Sequence, residues 1–158
     1  MKQHELAFPR GEISFELPDS WVFETEQPDM FMYYDPRDGS GTLRLHVITA
    51  EDKTLQKAPA EKLEKHFEKH YMERAREESG KFNKLNNGNL LLSYSKKAEE
   101  GGQEISLNYW ELGKIAVPNI FNFIFSFTIL ESQQNDDVIV SEIAMIEKTI
   151  KSANVTLI

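Results

Sequence analysis

The chain has 158 residues, with 26 Asp or Glu against 18 Lys or Arg, which gives a net charge of −8. This length favours one domain, 1–158, and the acidic balance disfavours nucleic acid and anionic lipid as partners. Cysteine is absent, which excludes disulfides and thiol catalysis. With 40% hydrophobic residues, the composition is that of an ordinary globular protein.

The first ten residues lack the apolar stretch of a secretory leader. The longest uncharged run, 115–130, is 16 residues long and contains Pro118, whereas a membrane helix needs about 20 apolar residues. We therefore expect a cytoplasmic protein with no membrane insertion.

The first part of the chain has the alternation of β-strands. Ile13, Phe15 and Leu17 are separated by single polar residues, as in a strand with one buried face. In a later predicted strand, Arg44 and His46 alternate with apolar residues, so we expect that side of the sheet to be partly exposed. The strands predicted here are 13–17, 21–23, 30–34 and 42–49, with a sharp turn at 35–41.

Two segments have the period of helices. The first is predicted over 59–79, where Pro59 suits the first helical position and Gly80 the position just past the end. The second is predicted over 136–152. Each has one apolar stripe, so we expect each helix to pack on a sheet. The stripes are Ala60, Leu63, Phe67 and Tyr71 in the first helix, and Ile139, Ile143, Ile146, Ile150 and Ala153 in the second.

Strands are also predicted between the helices, at 81–85, 90–96, 103–112 and 120–127. The last of them has phenylalanine at every second position and mainly apolar residues between, which predicts a central strand covered on both faces. Sequential strands joined by tight turns pair antiparallel. The predicted fold class is therefore α+β, a largely antiparallel sheet of about six to seven strands packed by two main helices in an α/β/α sandwich.

The segment 13–21, Ile-Ser-Phe-Glu-Leu-Pro-Asp-Ser-Trp, begins a pattern that resembles the Mog/PsbP/DcrB-like superfamily. Strands, a helix, an antiparallel meander with an aromatic last strand, and a final helix with an acidic start follow it over nearly the whole chain. The resemblance implies a single PsbP-like α+β domain. Members of the superfamily are mostly non-enzymatic binding or assembly factors, among them a Ran-binding nucleotide-release factor, photosystem assembly subunits and bacterial secretion chaperones. It implies a scaffold, and no functional residue is carried over.

The sequence has no complete nucleophile motif and no complete phosphate-binding motif. Gly39-Ser40-Gly41 precedes a strand, whereas the Ser of a nucleophile elbow follows one. Arg44 stands where a dinucleotide motif needs its third glycine, and Phe82 stands where a P-loop needs Ser or Thr. We therefore expect neither an enzyme nor a cofactor.

Metal sites have weak candidates. His66 and His70 are four residues apart on the first predicted helix and could both reach one ion, but Phe67 replaces the glutamate of a metalloprotease helix. The simpler interpretation is a pair at the boundary of the apolar stripe, without metal. Asp35, Asp38 and Ser40 hint at calcium, but the predicted turn accounts for them without an ion.

Aromatic residues are the candidates for binding. Tyr109 and Trp110 are consecutive on a predicted strand, so they face opposite sides, and one of them can lie on an exposed face. With Tyr33, His46 and Arg44, they predict an adaptor or small chaperone-like factor that holds an apolar segment of another protein on a sheet face or edge. Homodimerisation is compatible with this function. The alternative is a small-molecule binder or modest hydrolase with a cleft between helix and sheet, in which His46 or His70 supplies the polar group.

Overall fold

Residues 1–37 and 41–158 are described by the computed structural model. The predicted turn at 35–41 therefore lies partly outside the described residues, and so do Asp38, Gly39 and Ser40. The strands in chain order are β1 (Lys2–Phe8), β2 (Gly11–Leu17), β3 (Val22–Gln27), β4 (Met30–Tyr34), β5 (Thr42–Glu51), β6 (Lys81–Lys84), β7 (Leu90–Glu100), β8 (Gln103–Ala116), β9 (Asn119–Leu130) and β10 (Asn154–Leu157). The α-helices are α1 (Ala60–Glu77) and α2 (Asp137–Lys151), and two short 3-10 helices lie at Lys53–Lys57 and Glu131–Gln133.

The strands form two antiparallel sheets. The main sheet has seven strands in the order β3-β4-β5-β9-β8-β7-β6, and the second has the order β1-β2-β10. The predicted α+β class, with a mainly antiparallel sheet and two helices, is confirmed. The three-stranded sheet was not predicted.

The main core lies between one face of the seven-stranded sheet and a layer made by the three-stranded sheet and α2. Phe121, Phe123, Phe125 and Phe127 on β9 are at most 1% exposed. Phe125 packs edge to face on Phe15, with ring centres 5.5 Å apart. These aromatic contacts explain why the strand with four phenylalanines lies at the middle of the sheet.

Helix α1 packs on the opposite face of the main sheet, over β6 and β7. Tyr71 and Ala75 pack there against Leu90 and Leu92. A side chain at Gly113 would collide with Tyr71, so this glycine allows the helix to approach the sheet closely.

The end of α1 differs from the prediction in one detail. The left-handed residue is Ser79, with φ +54°, and not Gly80. The N–H groups of Ser79 and Gly80 donate to the carbonyl oxygens of Arg76 and Ala75, which is a Schellman motif. Gly80 is needed for another reason, because a Cβ there would collide with the backbone of Ser93.

Two further expectations are corrected. The strand β9 is central, but only its phenylalanine face is fully buried, and Ile120 and Ile124 on its other face are half-buried. The reason is that α1 packs on β6 and β7 and leaves most of that face uncovered. Likewise, the buried stripe of α1 begins at Leu63, while Ala60 and His70 are exposed.

Candidate functional site

The most distinctive surface is the part of the main sheet that α1 leaves uncovered, here named the open face. It lies on the opposite side of the sheet from the main core and crosses β4, β5, β9 and β8. Strand pairing places its side chains next to one another, since Met32 lies opposite Arg44, His46 opposite Ile124, and Tyr109 opposite Ser126. The residues of the open face are Met30, Met32, Tyr34, Arg44, His46, Ile48, Leu107, Tyr109, Ile124 and Ser126.

The polar groups of the open face are paired with acidic residues at its β3 side. Arg44 Nε donates to Glu26 at 2.7 Å, and His46 Nε2 lies 3.0 Å from a carboxylate oxygen of Asp29. The Tyr34 hydroxyl donates to Glu24 at 2.9 Å. The carboxylates of Glu24, Glu26 and Asp29 form what we name the acidic rim. The open face is therefore a mainly apolar surface with one border at which three carboxylates outnumber the single guanidinium of Arg44.

Tyr109 marks the boundary between the open face and the region under α1. Its ring stacks on Tyr94 with centres 5.0 Å apart and an angle of 17°. The Tyr94 hydroxyl donates to Glu111 at 2.6 Å. Tyr109 is thus held in place by residues that also anchor the helix.

Glu111 is the centre of a buried polar network between α1 and the sheet. This glutamate is 2% exposed and accepts two hydrogen bonds from the Arg74 guanidinium, at 2.5 and 2.7 Å. Asn122 donates to it at 3.0 Å, and the Tyr71 hydroxyl donates to Asn122. Burial raises the pKa of Glu111, but the hydrogen bonds from Arg74, Tyr94 and Asn122 outweigh burial, and the net direction is below its ordinary value.

The structure separates the five predicted binding residues into two groups. Tyr109, Arg44 and His46 lie together on the open face. Trp110 and Tyr33 lie on the other side of the sheet, in the core, with exposures of 3% and 0%. Because Tyr109 and Trp110 are neighbours on one strand, the expectation that they face opposite sides is confirmed.

The histidines of α1 lie apart from the open face's polar pairs. His66 and His70 are both exposed on the helix, which corrects their expected position at the boundary of the buried stripe. In the described ranges 1–37 and 41–158, no group of three or more acidic or histidine side chains is arranged to hold a metal ion. The interpretation of His66 and His70 as a pair without metal stays a prediction.

A groove of about 350 Å³ lies beside the C-terminal end of α1. Polar side chains line much of it, including Glu78, Ser93, Ser95 and Asn108, and neither His46 nor His70 is among its lining residues. His46 instead pairs with Asp29 on the sheet surface, where their side chains are 36% and 56% exposed. The alternative of a cleft with a functional histidine stays a prediction.

Several residues of the site were missed from the sequence. Met30 and Met32 alternate with Phe31 and Tyr33 on β4, and both faces of this strand are apolar, so the pattern could not show which face is exposed. Glu111 interrupts an apolar strand. Glu111 lies on the same face of the predicted strand as Leu107 and Tyr109. Because a buried carboxylate needs a partner, its place on an apolar face was the available signal for a buried basic residue such as Arg74.

No helix in the described ranges is long and apolar enough to span a lipid bilayer.

No protein-family model matches the chain, and no curated protein matches it in sequence. The fold is similar to that of a solved protein from Bacteroides thetaiotaomicron VPI-5482, with TM-score 0.58 and 15% identity over 90% of this chain and 44% of that one. The chain thus spans less than half of the Bacteroides protein. It is also similar to LpqN of Mycobacterium tuberculosis, described as involved in cell envelope biogenesis, with TM-score 0.54 and 13% identity over 98% of this chain and 91% of that one. At these identities the likeness shows a shared fold alone.

Proposed function

We propose that the chain is a non-enzymatic protein-binding module whose open face holds an apolar segment of another protein, flanked by basic residues. The observation that carries this proposal is the uneven cover of the main sheet. In the described residues α1 packs on β6, β7 and part of β8 and reaches β9 at Asn122, whereas no helix packs on the outer face of β4 and β5. Sheet layers normally bury their apolar faces against another element. A partner would complete that layer here.

The dimensions favour a helical segment as the occupant. Neighbouring strands lie about 4.8 Å apart, so the four strands of the open face span roughly 14 Å. A helix is about 10 Å wide, and packed helices lie about 8–10 Å apart. One helix therefore fits beside α1, with its apolar stripe on Met32, Ile124 and Tyr109.

Charge favours basic flanks on that segment. The acidic rim contributes Glu24, Glu26 and Asp29, and the whole chain has a net charge of −8. Lysine or arginine beside the apolar stripe would meet this rim and would speed association at low salt.

The face is a better docking surface than the outer edge of β3. That edge has Glu24 and Glu26 and a bulge between Thr25 and Gln27, which are features that protect edge strands from pairing with other chains. The partner would therefore be recognised by its side chains on the open face.

The resemblance of segment 13–21 to the Mog/PsbP/DcrB-like superfamily supports an adaptor or chaperone-like role. We also propose that the protein is located in the cytoplasm. LpqN is described as involved in cell envelope biogenesis, so cell fractionation is the direct check of location.

The test uses a synthetic helical peptide with a leucine stripe and lysine flanks, with fluorescence anisotropy as the readout. Wild type is expected to bind it, and Ile124→Glu to bind at least about 10-fold more weakly, since a charge then occupies the apolar surface. Ile124 lies directly opposite Glu111, so circular dichroism of the variant checks that its fold is intact, and Ile48→Glu, at an exposed position of the same face, should weaken binding in the same direction. The matched control is Val140→Glu, at an exposed position of α2, which should bind like wild type. A second peptide with glutamate flanks should bind weakly. No binding to wild type, or equal binding by Ile124→Glu, would contradict the proposal.

A further inference from the structure

The main sheet has a free edge along the outer half of β7. Strand β6 pairs with β7 only from Leu90 to Ser93, so in the part of the chain that the structure describes no strand lies beyond 94–100. The carbonyl oxygen of Ser93 is directed toward Gly80, on the β6 side. Backbone groups alternate along a strand, so Lys97 and Glu99 also direct their N–H and C=O groups outward. Unpaired groups of this kind can pair with another chain.

The sequence of this edge is complementary to itself. Residues 96–100 read Lys-Lys-Ala-Glu-Glu. If a second copy runs antiparallel with Ala98 opposite Ala98, each Lys96 lies opposite a Glu100, and each Lys97 lies opposite a Glu99. Opposite charges placed directly across two strands stabilise the pair, and like charges destabilise it.

The backbone permits this register. In an antiparallel pair, a residue whose backbone N–H and C=O groups point toward the partner strand lies opposite another residue of the same kind. Lys97 opposite Glu99 satisfies that condition. The neighbouring permitted registers place Lys97 opposite Lys97, or Glu99 opposite Glu99, and bring like charges together. In the Ala98 register the alanines form the non-hydrogen-bonded pair, where Cα atoms approach to about 4.5 Å and small side chains fit well.

We propose that two copies of this chain pair through 94–100 of β7, about a two-fold axis beside Ala98, and join their seven-stranded sheets into one. A two-fold interface uses the same patch on both copies, as this self-complementary sequence requires. The surface is separate from the open face, so the proposal does not rest on the proposed function.

The intramolecular contacts of the two lysines compete only weakly with this pairing. Lys96 lies 3.4 Å from Glu78 and Lys97 lies 2.5 Å from Glu131. The two lysine side chains are 50% and 65% exposed, and exposed ion pairs contribute little. Glu99 lies directly opposite Glu104 on β8. Lys97 of the second copy would therefore lie beside two carboxylates of the first copy.

The dimer should be weak and sensitive to salt. A single pair of short strands buries less than a standard interface, which is typical of transient complexes. The charged pairs lie near solvent, so added salt should shift the equilibrium toward monomer.

Sedimentation velocity from micromolar to millimolar concentration tests the proposal. Wild type is expected to dimerise, whereas E99K/E100K and K96E/K97E should each be monomeric, because each has one charge sign along the whole edge. An equimolar mixture of the two variants should form a heterodimer. Circular dichroism of each variant checks the fold, and recovery of association in the mixture excludes misfolding as the cause of monomers.

Hydrogen exchange gives a second readout. The amides of Lys97 and Glu99 should become protected as wild-type concentration rises and stay unprotected in E99K/E100K. The open-face variant Ile124→Glu should dimerise like wild type, which separates this interface from the proposed docking surface. The proposal is overturned if wild type stays monomeric at millimolar concentration, or if E99K/E100K dimerises as wild type does.

Discussion

A buried carboxylate such as Glu111 is tolerated only when its partners replace the water that it has lost. Arg74 supplies two charge-assisted hydrogen bonds, and Tyr94 and Asn122 supply one each. These bonds join α1, β7 and β9 to β8 at one point. Removing one charge of such a pair is more damaging than its net stabilisation suggests, because the other charge stays buried.

Replacing Glu111 with Gln should therefore lower the free energy of unfolding by about 1.5–3 kcal/mol at neutral pH, the value of a hydrogen bond to a charged group. The pKa of Glu111 lies below its ordinary value of 4.5, so its contribution is complete above that pH and is lost as the pH falls through the folded-state pKa. Urea unfolding at several pH values should show that the free energies of unfolding of wild type and Glu111→Gln become equal under acidic conditions. Glu73→Gln, at an exposed position on the same helix, is the control and should stay within about 0.5 kcal/mol of wild type. Stability curves that run parallel from neutral to acidic pH would contradict this role.

At the scale of elements, strands with a clear alternation or a run of aromatics were predictable from the sequence. β4 was predicted with its observed bounds, and β2, β5 and β9 within a few residues. β1 and β10 were missed for physical reasons. β10 is four residues long and pairs with β2, so that Val155 lies opposite Ile13, and no local pattern signals a partner so distant along the chain.

The open face shows the same limit. Local periodicity predicted that Arg44 and His46 face away from the core, and this is where they lie. The position of α1 across the sheet could not be predicted, because it depends on Gly113 beneath Tyr71 and on the pairing of Arg74 with Glu111. These contacts join residues far apart in the sequence, and they decide which part of the face stays open.

The packing of α1 on β8 makes Gly113 sensitive to substitution. Gly113→Ala should destabilise the protein by roughly 1–3 kcal/mol, because the new methyl group overlaps the Tyr71 hydroxyl. In a Tyr71→Phe background the same change should cost less but stay unfavourable, since the hydroxyl oxygen is gone while the ring carbon Cζ, 2.8 Å from the new methyl group, remains. Chemical unfolding of the four proteins of this cycle gives the coupling.

Gly88→Ala is the matched control for this cycle. Gly88 has φ +86°, and a methyl group added there would meet no other atom within 4 Å, so its substitution adds backbone strain without a collision. Its effect should be the same with Tyr71 or Phe at position 71. If Gly113→Ala is equally harmful in both backgrounds, the Tyr71 hydroxyl is not what excludes a side chain there.

At the scale of the whole molecule, the two sides of the main sheet are packed unequally. The core beneath the three-stranded sheet and α2 has twenty buried residues in the described ranges, whereas the cluster beneath α1 has four. Regions with few buried apolar contacts open at lower free energy than the global transition. The polar network of Glu111 therefore contributes a large part of the free energy that stabilises the packing of α1 on the sheet.

Native-state hydrogen exchange tests this unequal stability. The amides of α1 should exchange through a partial opening of lower free energy than that of the β9 amides, which should exchange only with global unfolding. In the Glu111→Gln variant the protection of the α1 amides should fall further. The free energy of opening of the β9 amides should still equal the free energy of global unfolding. Such an opening would expose Leu90 and Leu92 next to the open face and so enlarge the apolar surface. Equal protection of α1 and β9 in wild type would mean that the helix and the main core unfold as one unit.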